Sequence, residues 1–168
     1  MSSGARAGCA KRGEAGKRGT RLGLILENLA VGSILVAITV SIHGVGLLAL
    51  SFLLRSVIDR YQAHAKLGST VAVMVATVLG LFALHTIEIW VWAVTYTFVG
   101  AVPDFLHALT FSTLAFSTLG AEAISTTPQW QLSGSIEGVN GFLLIGWSTA
   151  YLIPAWTRYG PFHEERGF

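Results

Sequence analysis

Three apolar stretches, roughly residues 22–54, 67–102 and 132–156, are each long enough to cross a bilayer, for which about 20 apolar residues suffice. Inside hydrocarbon no water satisfies backbone N–H and C=O groups, so such stretches have to be helices. A fourth apolar piece, between the second and third, opens at Pro103-Asp104 and runs about 12 residues before a polar Ser-Thr-Leu-Gly sequence ends it. A piece of about 10–14 residues is too short to span and reads as buried or re-entrant. Composition agrees: 52% of the 168 residues are hydrophobic and 12% charged, against about 25% charged in soluble domains. The fold class is all-α and membrane-embedded.

The first stretch is the longest. As one helix it reaches about 50 Å, more than the hydrocarbon needs, so the expectation is a single tilted helix that bends at His43-Gly44-Val45-Gly46, where two glycines weaken it. Residues 1–21 hold six Lys/Arg and one Glu among Gly, Ser and Ala, which reads as a flexible basic tail. It does not read as a secretory signal, because the apolar stretch behind it is too long. Its charge points to anionic lipid, and no nucleic-acid-binding motif is present. Residues 55–66 form a polar linker and 158–168 a C-terminal tail. Cys9 is the single cysteine, so no intrachain disulfide can form.

The central segment, PDFLHALTFSTLAFSTLGAEA at 103–123, has the order span, half-helix, Thr-Leu-Gly, span. HTIEIW at 85–90, EGVNGFLLIGWSTA at 137–150 and Ile42-His43-Gly44 accompany it. On these motifs, residues 67–157 resemble the pore module of the potassium-channel superfamily, in its small bacterial two-transmembrane form. The resemblance implies three transmembrane helices, with a re-entrant pore helix and filter loop between the second and third. It also implies a homotetramer in a bacterial inner (plasma) membrane that passes cations. In such channels the helix before the loop runs from inside to outside, which puts 55–66 and the C-terminus inside. With three spans the basic N-terminal tail then falls outside, against the positive-inside rule. The alternatives are a translocated tail or a first segment that makes no simple crossing.

The filter of that family reads Thr-Thr-Leu-Gly-Tyr-Gly-Asp, and this chain has Ser117-Thr118-Leu119-Gly120-Ala121-Glu122-Ala123. A potassium filter aims successive backbone carbonyls at one axis, and glycine supplies the positive φ angles that this requires. Gly120 is kept, but Glu122 replaces the second glycine, and Ala121 replaces the bracing aromatic. The expectation is a shorter, wider filter, with carbonyls from Thr118, Leu119 and Gly120 and a ring of Glu122 carboxylates at the outer mouth, as in cation pores generally. The alternative is a Glu122 that merely faces water. The permeant partner is a monovalent or divalent cation.

His85 and Glu88 share one helical face at a spacing of three. Ionisable groups inside a span are costly and face protein or a water cavity. They read as support for the pore loop, or as a proton-sensing or metal contact; two residues fall short of a metal's usual three or four protein ligands, so no metal is expected. Glu137 and Asn140 repeat the spacing, the first bracing the loop and the second lining a cavity. Gly141 reads as a helix bend or a close-packing point. No nucleophile elbow, His-Glu-x-x-His or phosphate loop appears, so neither enzyme chemistry nor a cofactor is expected. The competing function is a non-conducting membrane scaffold or partner subunit that keeps the channel frame.

Overall fold

The computed structural model describes residues 3–61, 67–120 and 127–159. All regular secondary structure among these residues is helical: helices α1 (Ser3–Tyr61), α2 (Leu67–Phe98), α3 (Phe105–Phe116) and α4 (Gln131–Tyr159), and a 3₁₀ turn, Pro128–Trp130, leading into α4. Three of them carry apolar segments of spanning length, Arg21–Ser56, Val71–Phe98 and Gln131–Pro154. The chain is an integral membrane protein with three candidate transmembrane helices. At 12 residues, α3 is about 18 Å long and cannot cross.

Side-chain pairs fix the directions. His43 meets Glu88, Gly46 faces Leu84, and Leu50 lies over Gly80, so α1 and α2 are antiparallel. Asn28 meets Ser133, Thr39 meets Asn140, and Ser51 meets Tyr151, so α1 and α4 are parallel. The start of the α1 span therefore shares one membrane face with the α2–α4 connection, and the end of α1 shares the other with the start of α2 and the end of α4. At Gly46 and Gly80 a leucine of the other helix occupies the space a Cβ would take, the small-residue packing that lets helices approach in lipid.

The larger buried cluster sits toward the first of these faces, and a smaller one, of Leu47, Leu81 and Leu84, toward the other. Trp92, Ala93 and Tyr96 of α2 pack against Ala108 and Phe111 of α3, with Leu35 of α1 and Trp130 closing the cluster. The Tyr96 and Phe111 rings meet edge to face at 5.1 Å, a favoured aromatic geometry.

Three expectations differ from the structure. Residues 3–21 are the first turns of α1 and not a flexible tail; their Ala, Arg and Lys are good helix formers, and an established helix behind them removes the nucleation cost. Residues 55–61, expected in the linker, continue α1. The helix also runs without interruption through 43–46, where the glycines admit neighbours: Gly44 faces Trp147 and Gly46 faces Leu84. Trp and Tyr near one end of a span ordinarily form an interfacial belt, but Trp92 and Tyr96 are core residues, 0% and 1% exposed, because α3 covers them. The C-terminal tail beyond Tyr159 lies outside the described residues.

Candidate functional site

The short helix α3 has a defined start and a defined stop. Asp104 is its N-cap in extended backbone, and its carboxylate accepts from the His107 N–H at 3.0 Å, satisfying one of the orphan donors of the first turn. That backbone bond first, and the His107 ring 2.7 Å from the carboxylate, hold the Asp104 carboxyl below its usual range. At the other end Ser117 is the C-cap. The Thr118 N–H donates to Ala115 O at 3.0 Å and the Leu119 N–H to Leu114 O at 3.1 Å. This closed stop needs a left-handed residue directly after the cap, normally glycine. Here the residue is Thr118, at φ 59°, which costs a Cβ-bearing side chain about 1–2 kcal/mol. Gly120 follows at φ 91°.

Thr118, Leu119 and Gly120 are all exposed. Ala121 and Glu122 lie outside the described residues. The described chain resumes at Thr127, whose N–H donates to Ala101 O at 3.1 Å, just beyond the end of α2.

A buried polar group holds α3 from behind. The Ser112 hydroxyl contacts the Glu137 carboxylate of α4 and the Ile89 carbonyl of α2, and Tyr96 O–H donates to the other Glu137 oxygen at 2.8 Å. Glu137 is 0% exposed, and both of its oxygens have a partner. Two glycines of α4 lie alongside: a Cβ on Gly138 would meet the Ala115 carbonyl, and one on Gly141 would collide with the Phe116 backbone. The α4 surface is notched where α3 ends.

Beside the end of α3, three helices meet at a second buried cluster. His43 Nδ1 lies 2.8 Å from Glu88 Oε1, and His85 Nδ1 lies 2.9 Å from Glu88 Oε2. The two imidazoles are stacked, 5.4 Å between centroids. Their Nε2 atoms both face the Ser148 hydroxyl of α4, at 3.4 Å for His43 and 3.0 Å for His85. Trp147 and Phe116 wall the cluster, 5.2 Å from the His43 ring and 5.6 Å from the His85 ring. Glu88 thus finds partners on α1 and on its own helix.

Asn140 is buried and donates to Thr39 Oγ1 of α1 at 2.9 Å, so it faces α1 within the chain. Nearer the start of α4, Asn28 of α1 donates to Gln129 O at 2.6 Å and accepts from both the N–H and the hydroxyl of Ser133. It caps α4 from a different helix.

Of the residues singled out by sequence, His85 and Glu88 come together in one cluster and Glu137 in the other, with Gly141 at the α3 notch. Asn28, Thr39, Ser112, Tyr96 and Ser148 were missed as site residues. Their signal was available: a polar side chain inside an apolar span has to find a partner. Which partner it finds depends on helix register, which one helix's periodicity does not carry. No known protein family matches the sequence, and no match is found among curated proteins or solved structures.

Proposed function

We propose that the chain is a pore-forming subunit of a small tetrameric cation channel, with α3 as the pore helix and Thr118 to Gly120 as the described part of its filter. The observation that carries this reading is α3 itself. It is an apolar helix too short to cross, capped at Asp104, stopped at Thr118 and fastened to both flanking spans through Ser112, Glu137 and Tyr96. A helix built and braced in this way presents a fixed backbone end, and irregular backbone at membrane depth is tolerated where it lines a water-filled path. The tetramer and the bacterial inner membrane rest on the resemblance. The apolar α4 residues Val139, Phe142 and Leu143, all more than 60% exposed, suit contact with other copies or with lipid.

Selectivity for potassium is weak in this reading. Glu122 stands where the second filter glycine would be and Ala121 where the bracing aromatic would be, so a full carbonyl stack is disfavoured, and Glu122 provides a carboxylate ring. Four carboxylates around one axis repel one another, and calcium, with its preference for several oxygen ligands, relieves that repulsion better than potassium.

The test is single-channel recording of the purified protein in a planar bilayer. Expected are cation currents whose reversal potential in mixed potassium and sodium lies well away from the potassium value, and a divalent sensitivity that Glu122→Gln removes. A reversal at the potassium value refutes the selectivity argument. Silence in bilayers, with assembled protein verified, favours the second reading, a non-conducting subunit that keeps the frame; the self-closed stop at Thr118 is the observation on its side.

A further inference from the structure

The His43, His85 and Glu88 cluster is more than a means of pairing one buried carboxylate, and hydrogen counting shows why. Each Nδ1 that donates to Glu88 uses that ring's only hydrogen when the imidazole is neutral. Both Nε2 atoms then need a donor, and Ser148 has a single hydroxyl hydrogen to offer them. With both rings neutral, the arrangement is one hydrogen short in a site where Glu88 and His43 are 0% exposed.

A cation between the two Nδ1 atoms and the carboxylate removes the shortfall. With both Nδ1 lone pairs given to an ion, each ring carries its hydrogen on Nε2. The Ser148 oxygen, which has two lone pairs, then accepts from both rings. Metal-bound histidines nearly always donate their far N–H to such an acceptor, which fixes the tautomer and ring orientation.

We propose that His43, His85 and Glu88 bind one divalent transition-metal ion of the zinc class, with Ser148 orienting both imidazoles. One ligand atom from each of the three residues lies within 4.8 Å of the other two. Donors around tetrahedral zinc stand roughly 3.4 Å apart for bonds of about 2.0–2.1 Å, so closure takes side-chain shifts of about 1 Å. Two imidazoles and one carboxylate are a zinc donor set, with the fourth position left to water. Calcium and magnesium want more oxygen ligands than one carboxylate supplies. The bound ion ties α1 directly to α2 and, through Ser148, to α4, so its effect is to lock the N-terminal helix onto the other two spans.

The experiment uses the full chain in lipid nanodiscs, stripped with a chelator, loaded with ZnCl₂ and washed. Bound metal is measured by mass spectrometry, and the donor set is read in parallel from the visible spectrum of a Co²⁺-loaded sample. Expected are one retained zinc per chain, tetrahedral cobalt bands, and a higher thermal midpoint with zinc than without. His43→Ala, His85→Ala and Glu88→Gln lose retention, Ser148→Ala weakens affinity about tenfold, and the exposed His107→Ala leaves it unchanged. If the wild type retains no zinc and shows no tetrahedral cobalt bands, the proposal is overturned, whether or not the ligand variants fold. Retention that survives His43→Ala also overturns it. None of these readouts measures current, so they stand apart from the channel reading.

Discussion

Gly141→Ala puts the contact between α4 and the end of α3 to a quantitative test. An alanine Cβ there would lie 2.9 Å from both the Cα and the carbonyl carbon of Phe116, and closer still to its carbonyl oxygen. Backbone cannot swing aside as a side-chain tip can, so α3 has to retreat by about 1 Å, against the Ser112 and Tyr96 bonds that hold Glu137. Overpacking of this kind costs about 1–3 kcal/mol, sometimes more. Replacing a mid-helix glycine with alanine returns up to about 1 kcal/mol of helix propensity. Because the clash is with backbone, the upper half of the overpacking range applies, and the net expectation is a loss of about 1–2 kcal/mol. Gly146, five residues further along the same helix, has nothing within 4 Å of its would-be Cβ, so Gly146→Ala keeps the propensity gain alone and should stabilise. At about 2–4 °C per kcal/mol for a chain of this size, the two variants should shift the thermal midpoint in opposite directions by a few degrees, read by tryptophan fluorescence of the purified protein in detergent. A Gly141→Ala midpoint equal to or above the wild type refutes the notch, and with it the idea that α4 fixes where α3 ends.

Thr118→Gly relieves the left-handed backbone and should stabilise by about 0.5–1 kcal/mol, measured by the same thermal assay; a loss would mean that the Thr118 side chain contributes something the strain does not reveal. Asn28→Ala leaves the Ser133 N–H and the Gln129 carbonyl without their partner and should cost about 1–3 kcal/mol, with faster proteolysis of α1 as an independent sign of its loosened docking. The Asp104 cap has a pH signature: because its folded carboxyl is held below the usual range, its contribution is complete above the ordinary carboxylate range, near pH 4, and is lost as pH falls through the lowered folded value. The midpoint difference between wild type and Asp104→Ala should therefore stay constant from neutrality down to about that pH and close only in stronger acid; closure near pH 6 would contradict the sign.

The spans, the short helix and the Asp104 cap were legible in sequence because each depends on local physics: run length, a polar cap and a breaker. The N-terminal turns of α1 were not, since charge and glycine in 3–21 suggested a flexible tail, while an adjoining long helix lowers the cost of continuing. Thr118 escaped notice as a strained position because glycine marks left-handed backbone in a sequence, and only Gly120 showed it. The convergence of His43 with His85 and Glu88 spans 45 residues, and Ser148 comes from a third helix. Periodicity gave His85 and Glu88 a common face, but the partner of that face is set by the antiparallel register, which the glycine and leucine pairs decide.

The parallel course of α1 and α4 has a consequence for biosynthesis. The α1 residues Asn28, Thr39 and Ser51 find their α4 partners 100 to 105 residues later in the chain. At roughly 5–20 residues per second, α4 leaves the ribosome roughly 5–20 s after α1, and until then these side chains have carbonyls of their own helix, Leu24, Leu35 and Leu47, to bond. Glu88 comes sooner, only 45 residues behind His43. The nascent chain can thus pin α1 to α2 first through the histidine and carboxylate pair, and keep the remaining polar face of α1 open as the dock onto which α4, emerging after α2, is received.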